Sequence, residues 1–592
     1  MTLRVRCSAS RFTRPPKRGL LSSLNTSSLL GVCVLVATAS VMPTQQLAAQ
    51  QPSSSPGAGS PQAPPDFLPI QSRWFAPGRP VSGVQPPEYS INTRANPWNP
   101  YRQNVLKGDF PMFGEDLFFA FTATNRLFYE TRSVPTGSGI TGPAGNVKQT
   151  FFGDSEQTFL QNDLALSFDL FRGQQAFKPV DWRIRITPVF NYTKFEIEEV
   201  GGVVIDPAQG TKRERGDVTL QEAFLEYHLF DWTDRYDFAS LEIGVLPFRS
   251  DFRGFIFEDV NLGVRFFGNA SNNLWQYNLA VFDQLDKDTN SQLVRYEDRD
   301  QTVVVANVYR QDWPVLGYTS SASFHYNADR RGVEFDDNRF LIAPKPIGVF
   351  GQDQRNKVDA YYLGWAGEGH FGRWNITHAL YQVFGEESQN EIAAQKVDID
   401  ARFAALELSY DIDWWRPRAF FLYASGDSDP LDSDANGFDA IVDAPNFGGG
   451  QFSFWNSQAL KLVGTGLTQP GSSLADLQTS KTQGQANFVN PGVILFGAAA
   501  DLELTPKWRS QVGFTYLRFD KTNSVEFLLQ ADDVDKSIGT EVFIGTQYRP
   551  FLTNNVILQF GASALFPDDG FGRVYDSDDI VYNVFTNILT TW

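Results

Sequence analysis

DWRIRITPVFNYTKF, residues 181–195, alternates in a way that only a β-strand explains. One face carries Trp182, Ile184, Ile186, Pro188, Phe190 and Tyr192; the other carries Arg183, Arg185, Thr187, Val189, Asn191 and Thr193. Successive side chains of a strand point to opposite faces, so this segment has an apolar face and a largely polar one. Its aromatics sit at the two ends of the apolar face. A membrane-crossing strand has about 9–11 residues and carries aromatic girdles at both interfaces. Taken alone, the stretch fits a soluble sandwich and a membrane barrel equally, and the surrounding chain has to decide.

The composition of the 592 residues narrows the choice. Charged residues make up 20%, while aromatics reach 14%, with 51 Phe and 20 Tyr; a mean hydropathy of −0.28 excludes a helical membrane protein. The N-terminus holds Arg4, Arg6, Arg11, Arg14, Lys17 and Arg18 without an acid, then an apolar run from Leu29 to Met42 and Leu47-Ala48-Ala49. This pattern predicts a secretory signal over 1–49, because the apolar run is too short to span a bilayer. Val32 stands before Cys33 where a lipoprotein signal wants a small residue, so lipidation is not expected. Both cysteines, Cys7 and Cys33, fall in the signal. The mature chain then lacks disulfides, cysteine catalysis and thiolate metal sites. Removing the signal leaves 44 basic residues against 68 acidic ones, a net charge of −24, which argues against nucleic acid as a partner.

Residues 50–116, opening with QPSSSPGAGSPQAPP, read as a Pro-rich periplasmic arm whose Trp74, Phe75, Trp98, Tyr101 and Phe110 pack on or in something, the barrel mouth or a periplasmic partner. From Leu117 onward the pattern predicts about eighteen strands, with sixteen as the alternative even count. They fall near 117–131, 158–170, 182–195, 218–230, 238–248, 261–268, 274–284, 302–311, 316–327, 357–368, 373–385, 399–412, 417–425, 491–503, 508–519, 538–549, 555–565 and 581–592. Short links such as GNASNN, GEGHFG and TPK alternate with long acidic ones at 196–217, 285–301, 328–356, 426–490 and 520–537. A sandwich gives no reason for that alternation. An all-β, up-and-down antiparallel transmembrane barrel over 117–592 does, with short periplasmic turns on one rim and long extracellular loops on the other. The expected location is the outer membrane of a diderm envelope, with outer-membrane lipid around the wall and both chain ends on the periplasmic side. The final strand, with Tyr582, Val584, Ile588 and Trp592 in one register, resembles the aromatic-ended last strand of bacterial outer-membrane barrels.

Turning the apolar register outward predicts a charged lumen. Its residues are Arg183, Arg185, Glu222, Glu226, Glu242, Arg265, Glu407, Arg509 and Glu541, with neighbouring arginines and glutamates forming cross-strand ion pairs. Such residues fill and solvate a lumen and also set ion and solute preference. In the loop 424–455, Asp432, Asp434, Asn436 and Asp443, with Gly437 between, match the spacing of a twelve-residue calcium loop. Asp in place of the bidentate Glu, and the absence of a predicted helix pair, separate it from an EF-hand. Calcium in an extracellular loop is the one cofactor the sequence suggests.

Ala424-Ser425-Gly426-Asp427-Ser428-Asp429-Pro430, followed by Gly437-Phe438-Asp439, resembles the long-loop signature of alginate-export-type outer-membrane barrels. Gly561-Ala562-Ser563-Ala564-Leu565-Phe566-Pro567 is similar to their penultimate strand. The resemblance implies an eighteen-stranded passive conduit for an anionic polysaccharide or another small polar solute. Inward glutamates at least as numerous as arginines depart from the arginine-lined pore expected of such exporters. Among rival functions, an enzyme would need a base, yet His228, His325, His370 and His378 show no serine-hydrolase pattern. A TonB-type transporter would need a far longer plug ahead of the first strand. A scaffold barrel holding a periplasmic or surface partner is the remaining alternative to a pore.

Overall fold

A computed structural model describes residues 96–99, 103–135, 155–173, 179–198, 206–235, 237–288, 291–332, 334–335, 341–343, 356–390, 392–458 and 485–592. The wall begins with β1 (Leu117–Ser133), β2 (Glu156–Arg172), β3 (Trp182–Ile197), β4 (Lys212–Asp231), β5 (Phe238–Arg249) and β6 (Glu258–Ala270). It continues with β7 (Trp275–Lys287), β8 (Val294–Arg310), β9 (Tyr318–Asp329), β10 (Val358–Phe371), β11 (Trp374–Asn390) and β12 (Gln395–Tyr410). It ends with β13 (Trp415–Ala424), β14 (Val493–Thr505), β15 (Trp508–Arg518), β16 (Ser537–Tyr548), β17 (Val556–Pro567) and β18 (Val581–Thr591). Each wall strand pairs antiparallel with the next, and β1 pairs with β18 through Leu127 opposite Ile588, closing an 18-stranded barrel. Every segment expected from the sequence forms one wall strand. No helix among the described residues is long and apolar enough to cross a membrane.

The outward face is the one the opening stretch implied. Ile184, Ile186, Phe190 and Tyr192 are each 40–45% exposed, whereas Asn191, Thr193 and Phe195 point inward and are buried. Pro188 has no N–H for the ladder, and the β3–β4 register shifts there: Thr187 faces Glu222, Pro188 faces Leu220, and Gln221 is bulged out. Indoles ring the short-turn rim, among them the exposed Trp98, Trp232, Trp275, Trp313, Trp374, Trp414 and Trp508, as an interfacial girdle requires.

Two expectations about the links are corrected. The acidic link expected at 285–301 is mostly strand, because β7 runs to Lys287 and β8 starts at Val294. Charge does not break a ladder whose outward face projects into water. The link expected at 426–490 is no free outer loop. Its described parts fold into the barrel and join an apolar core on the long-loop side, with Phe438, Ile441, Val442, Phe447, Phe454 and Trp455 packed against wall residues such as Phe403, Phe420 and Phe543. The outward-only apolar register therefore holds for the short-turn half of the barrel and fails in the other half.

Candidate functional site: the charged lumen

The short-turn half of the lumen carries a continuous polar belt. Arg183 lies 3.2 Å from Glu226 and 3.9 Å from Asp169; Arg185 lies 2.5 Å from Asp169 and 3.8 Å from Glu222. Thr187 Oγ1 donates to Glu222 at 3.2 Å. Glu242, opposite Glu226 in the β4–β5 ladder, pairs with Arg265 at 3.0 Å. Arg265 also donates twice to Asn278 Oδ1, at 2.8 and 2.7 Å, and Asn278 donates to Asn307. Six of the predicted lumen residues are thus brought into one cross-strand ladder by the register of β3 to β6. Asp169 of β2 is an essential member that inspection of strands three to six missed. Arg126 and Asp163, facing each other across β1 and β2, are two more.

The ladder runs into the inward loop 250–257 between β5 and β6. Asn307 Nδ2 and Tyr309 OH both donate to Ser250 O. The Asp251 carboxylate accepts the backbone N–H groups of Arg253, Gly254, Phe255 and Ile256 at 2.6–3.1 Å, which fixes the loop as a tight knot. Burial raises the Asp251 pKa, opposed by those four donors. From the knot Arg253 reaches Thr377 at 2.8 Å, Glu368 at 3.3 Å and Glu407 at 3.8 Å. Glu407 also pairs with Arg418 at 3.3 Å, and Arg418 with Asp501 at 3.0 Å.

The second inward loop closes onto the same belt. Arg418 donates to Gly448 O at 2.7 Å and Gln511 to Gly449 O at 2.6 Å. Backbone bonds from Ile441 to Ile256 O, and from Glu258 to Val442 O, tie it to the first loop. Phe452 stacks on Phe585 of β18 at 5.6 Å, under which Gly545 and Gly561 leave no room for a Cβ. Gly561 belongs to the stretch singled out by resemblance; here it admits two rings.

The remaining predicted residues have other placements. Glu541 is wholly buried and accepts the Trp455 backbone N–H at 2.9 Å, so it anchors the loop and is not a free wall charge. Arg509 faces inward but sits at the rim, more than half exposed, paired with Glu503 at 2.7 Å. Asp432, Asp434, Asn436 and Asp443 do not converge. Asp434-Ala435 pairs parallel with Asp398-Ile399 of β12, which draws the segment out straight. Asn436 donates to Asp400 O, while Asp443 turns into the barrel beside Phe255 and Phe403. Among the described residues no three His, Cys, Asp or Glu side chains cluster at metal-binding distance. Of the arm, residues 103–116 lie along β1 at the rim, where Lys107 Nζ donates to Phe121 O and stands 4.0 Å over the Trp592 ring; the part at 50–95 is outside the described residues. The His370 ring lies against the Gly317 turn, and the Tyr318 hydroxyl is 2.5 Å from His378 Nε2, both within the rim belt.

A closed barrel with an outward apolar band and a charge-lined interior defines a membrane-spanning β-barrel of the outer-membrane type. Solved structures are similar to this chain, among them the outer membrane protein opdK of Pseudomonas aeruginosa. OccAB1 of Acinetobacter baumannii has a TM-score of 0.45 at 8% identity, covering 80% of this chain and 96% of its own. Pseudomonas aeruginosa OccK5 (OpdH) has 0.41 at 11%, covering 80% and 97%. OpdK of the same organism, solved with vanillate, has 0.42 at 9%, covering 80% and 98%. No family model matches the sequence, and no curated protein matches it either.

Proposed function

We propose that this protein is an outer-membrane porin-type channel for diffusion of small polar or charged solutes, with the short turns periplasmic and the long loops outside. The observation that carries this reading is the inward ladder of ion pairs whose members keep contact with water, Arg183 at 23% and Arg185 at 31% side-chain exposure. Buried charges that merely filled a core would be fully desolvated, at a cost of several kcal/mol per ion. Here they line a wetted wall, where fixed charge acts on passing ions. The two inward loops narrow the bore and hand the solute from Arg253 to Arg418.

The alternation of sign along the ladder favours small solutes over an anionic polysaccharide. A polyanion needs a run of cations, and Arg183, Arg185, Arg253, Arg265 and Arg418 each have a carboxylate already. The finer resemblance to alginate exporters is therefore not adopted. A channel of this kind needs no catalytic group. Purified protein added to a planar lipid bilayer should give discrete conductance steps; a bilayer that stays silent at saturating protein would refute the pore and leave the scaffold.

A further inference from the structure

The lipid-facing wall carries a cation, Arg310, set among indoles. Arg310 ends β8 on the outward side with Val308, opposite Trp275 of β7 and Ser320 of β9. Its guanidinium carbon lies 5.1 Å from the Trp275 ring centroid, and it donates a long hydrogen bond, 3.5 Å, to Leu274 O. Among the described residues no carboxylate lies within ion-pair distance of it. Asp312, two residues on, accepts the Gly317 N–H at 2.8 Å instead. Trp313 and Trp365 wall a notch of about 340 Å³ beside it, and the Trp365 indole is pinned by its bond to Ser320 Oγ at 3.0 Å.

We propose that this notch binds the phosphate of an anionic glycerophospholipid from the leaflet at the short-turn rim, an inference that rests on the membrane-spanning reading above. A guanidinium offers five donors in a planar fork that matches phosphate oxygens in bidentate fashion, and here nearly all are unused by the protein. An outward arginine near the interface costs far less than one at the bilayer midplane, so the position is one where such a charge is tolerated. The notch, roughly ten water volumes in size, gives the glycerol and the top of an acyl chain an apolar slot against Val308 and Trp365. A zwitterionic headgroup would bring a second cation beside Arg310 with no carboxylate to receive it. An anionic headgroup brings none.

Native mass spectrometry of the purified barrel, with phosphatidylglycerol or phosphatidylcholine of identical chains, tests this. Wild-type protein should retain phosphatidylglycerol roughly tenfold better than phosphatidylcholine, because both offer the same phosphate but the choline cation stands beside Arg310 with no carboxylate to receive it. Arg310→Gln should lower phosphatidylglycerol to the phosphatidylcholine level. Val308→Trp, which fills the notch and keeps the charge, should do the same. Arg402→Gln, an outward arginine paired with Asp400 near the other rim, should change nothing. Millimolar inorganic phosphate should not displace the lipid. Equal retention of both lipids by wild type, unchanged adducts in both notch variants, loss in Arg402→Gln, or displacement by phosphate would each overturn the site. If Arg310→Gln fails to fold, wild type and Val308→Trp decide. Heat-shifted gel migration of the same samples reports the membrane barrel separately, so failure of the lipid site is distinguishable from failure of the barrel reading.

Discussion

Replacing Arg183 and Arg185 together by glutamine should make the channel more cation-selective by an amount the geometry fixes. The ladder holds five acids, Asp163, Asp169, Glu222, Glu226 and Glu242, against four arginines, Arg126, Arg183, Arg185 and Arg265. The double variant moves that stretch of wall from a net charge of −1 to −3. Two added charges at ~10 Å from a passing ion contribute about 0.8 kcal/mol in bulk water, and about 0.3 kcal/mol after one Debye length of screening at 0.1 M salt. Cations gain that amount and anions lose it, so the permeability ratio should rise about two- to threefold. In a tenfold potassium chloride gradient this displaces the zero-current potential by about 20 mV towards the cation value. Arg402→Gln, on the exposed outer face, should leave the potential in place. A double variant that shows the gel migration of a folded barrel and keeps the wild-type potential would refute the inward ladder as the selectivity element.

A closed barrel should migrate faster unheated than boiled on a denaturing gel, and identical migration together with a helical circular dichroism spectrum would contradict the fold. Gly561→Val should drive Phe452 off Phe585, lowering stability by about 1–3 kcal/mol in guanidinium unfolding and raising single-channel conductance; unchanged conductance would mean the second loop does not narrow the path. Burial, reinforced by Asp432 and Asp429, pushes the Asp427 carboxyl in the outer loop up to about 7, against the opposing backbone donors of Asn436 and Ser428. With the folded pKa raised above an unfolded value near 3.8, the contribution to stability is full below that value and is lost as pH rises to about 7. Protection factors at 425–437, corrected for the intrinsic base-catalysed exchange rate, should accordingly be higher at pH 5 than at pH 8, and Asp427→Asn should abolish the difference; equal protection in wild type would contradict the burial.

The strands were legible because the bilayer imposes a strict rule on their outward face. Ile184 and Ile186 must meet lipid, so Arg183 and Arg185 must meet the lumen, and the cross-strand partners follow from register. Where the rule lapses, the reading fails. β13 holds Phe420-Phe421-Leu422-Tyr423 and β14 opens Val493-Ile494-Leu495-Phe496, runs apolar on both faces, with Phe420, Leu422, Val493 and Leu495 buried inside. A run without alternation marks a strand covered on both sides, and that signal was available. The calcium spacing meets a different constraint. Spacing places ligands at the right intervals only if the chain curls, and the sheet pairing of Asp434-Ala435 holds it extended.

The inward loop and the apolar inner wall are two halves of one core. The loop segment GFDAIVDAPNFGGGQFSFW, 437–455, carries Phe438, Ile441, Val442, Phe447, Phe454 and Trp455, all buried. Left in water as an outer loop, such a segment would expose on the order of 1.5–3 kcal/mol of unfavourable surface per large side chain. The wall strands around the long-loop half offer matching apolar positions, so burial draws the loop in with no external partner. Once it is in, its leftover backbone carbonyls at Gly448 and Gly449 need donors, and Arg418 and Gln511 supply them at the edge where the core meets the charged belt. Hydrophobic burial therefore accounts for the inward position of the second loop, and under the proposed channel function it narrows the bore beside the charged belt.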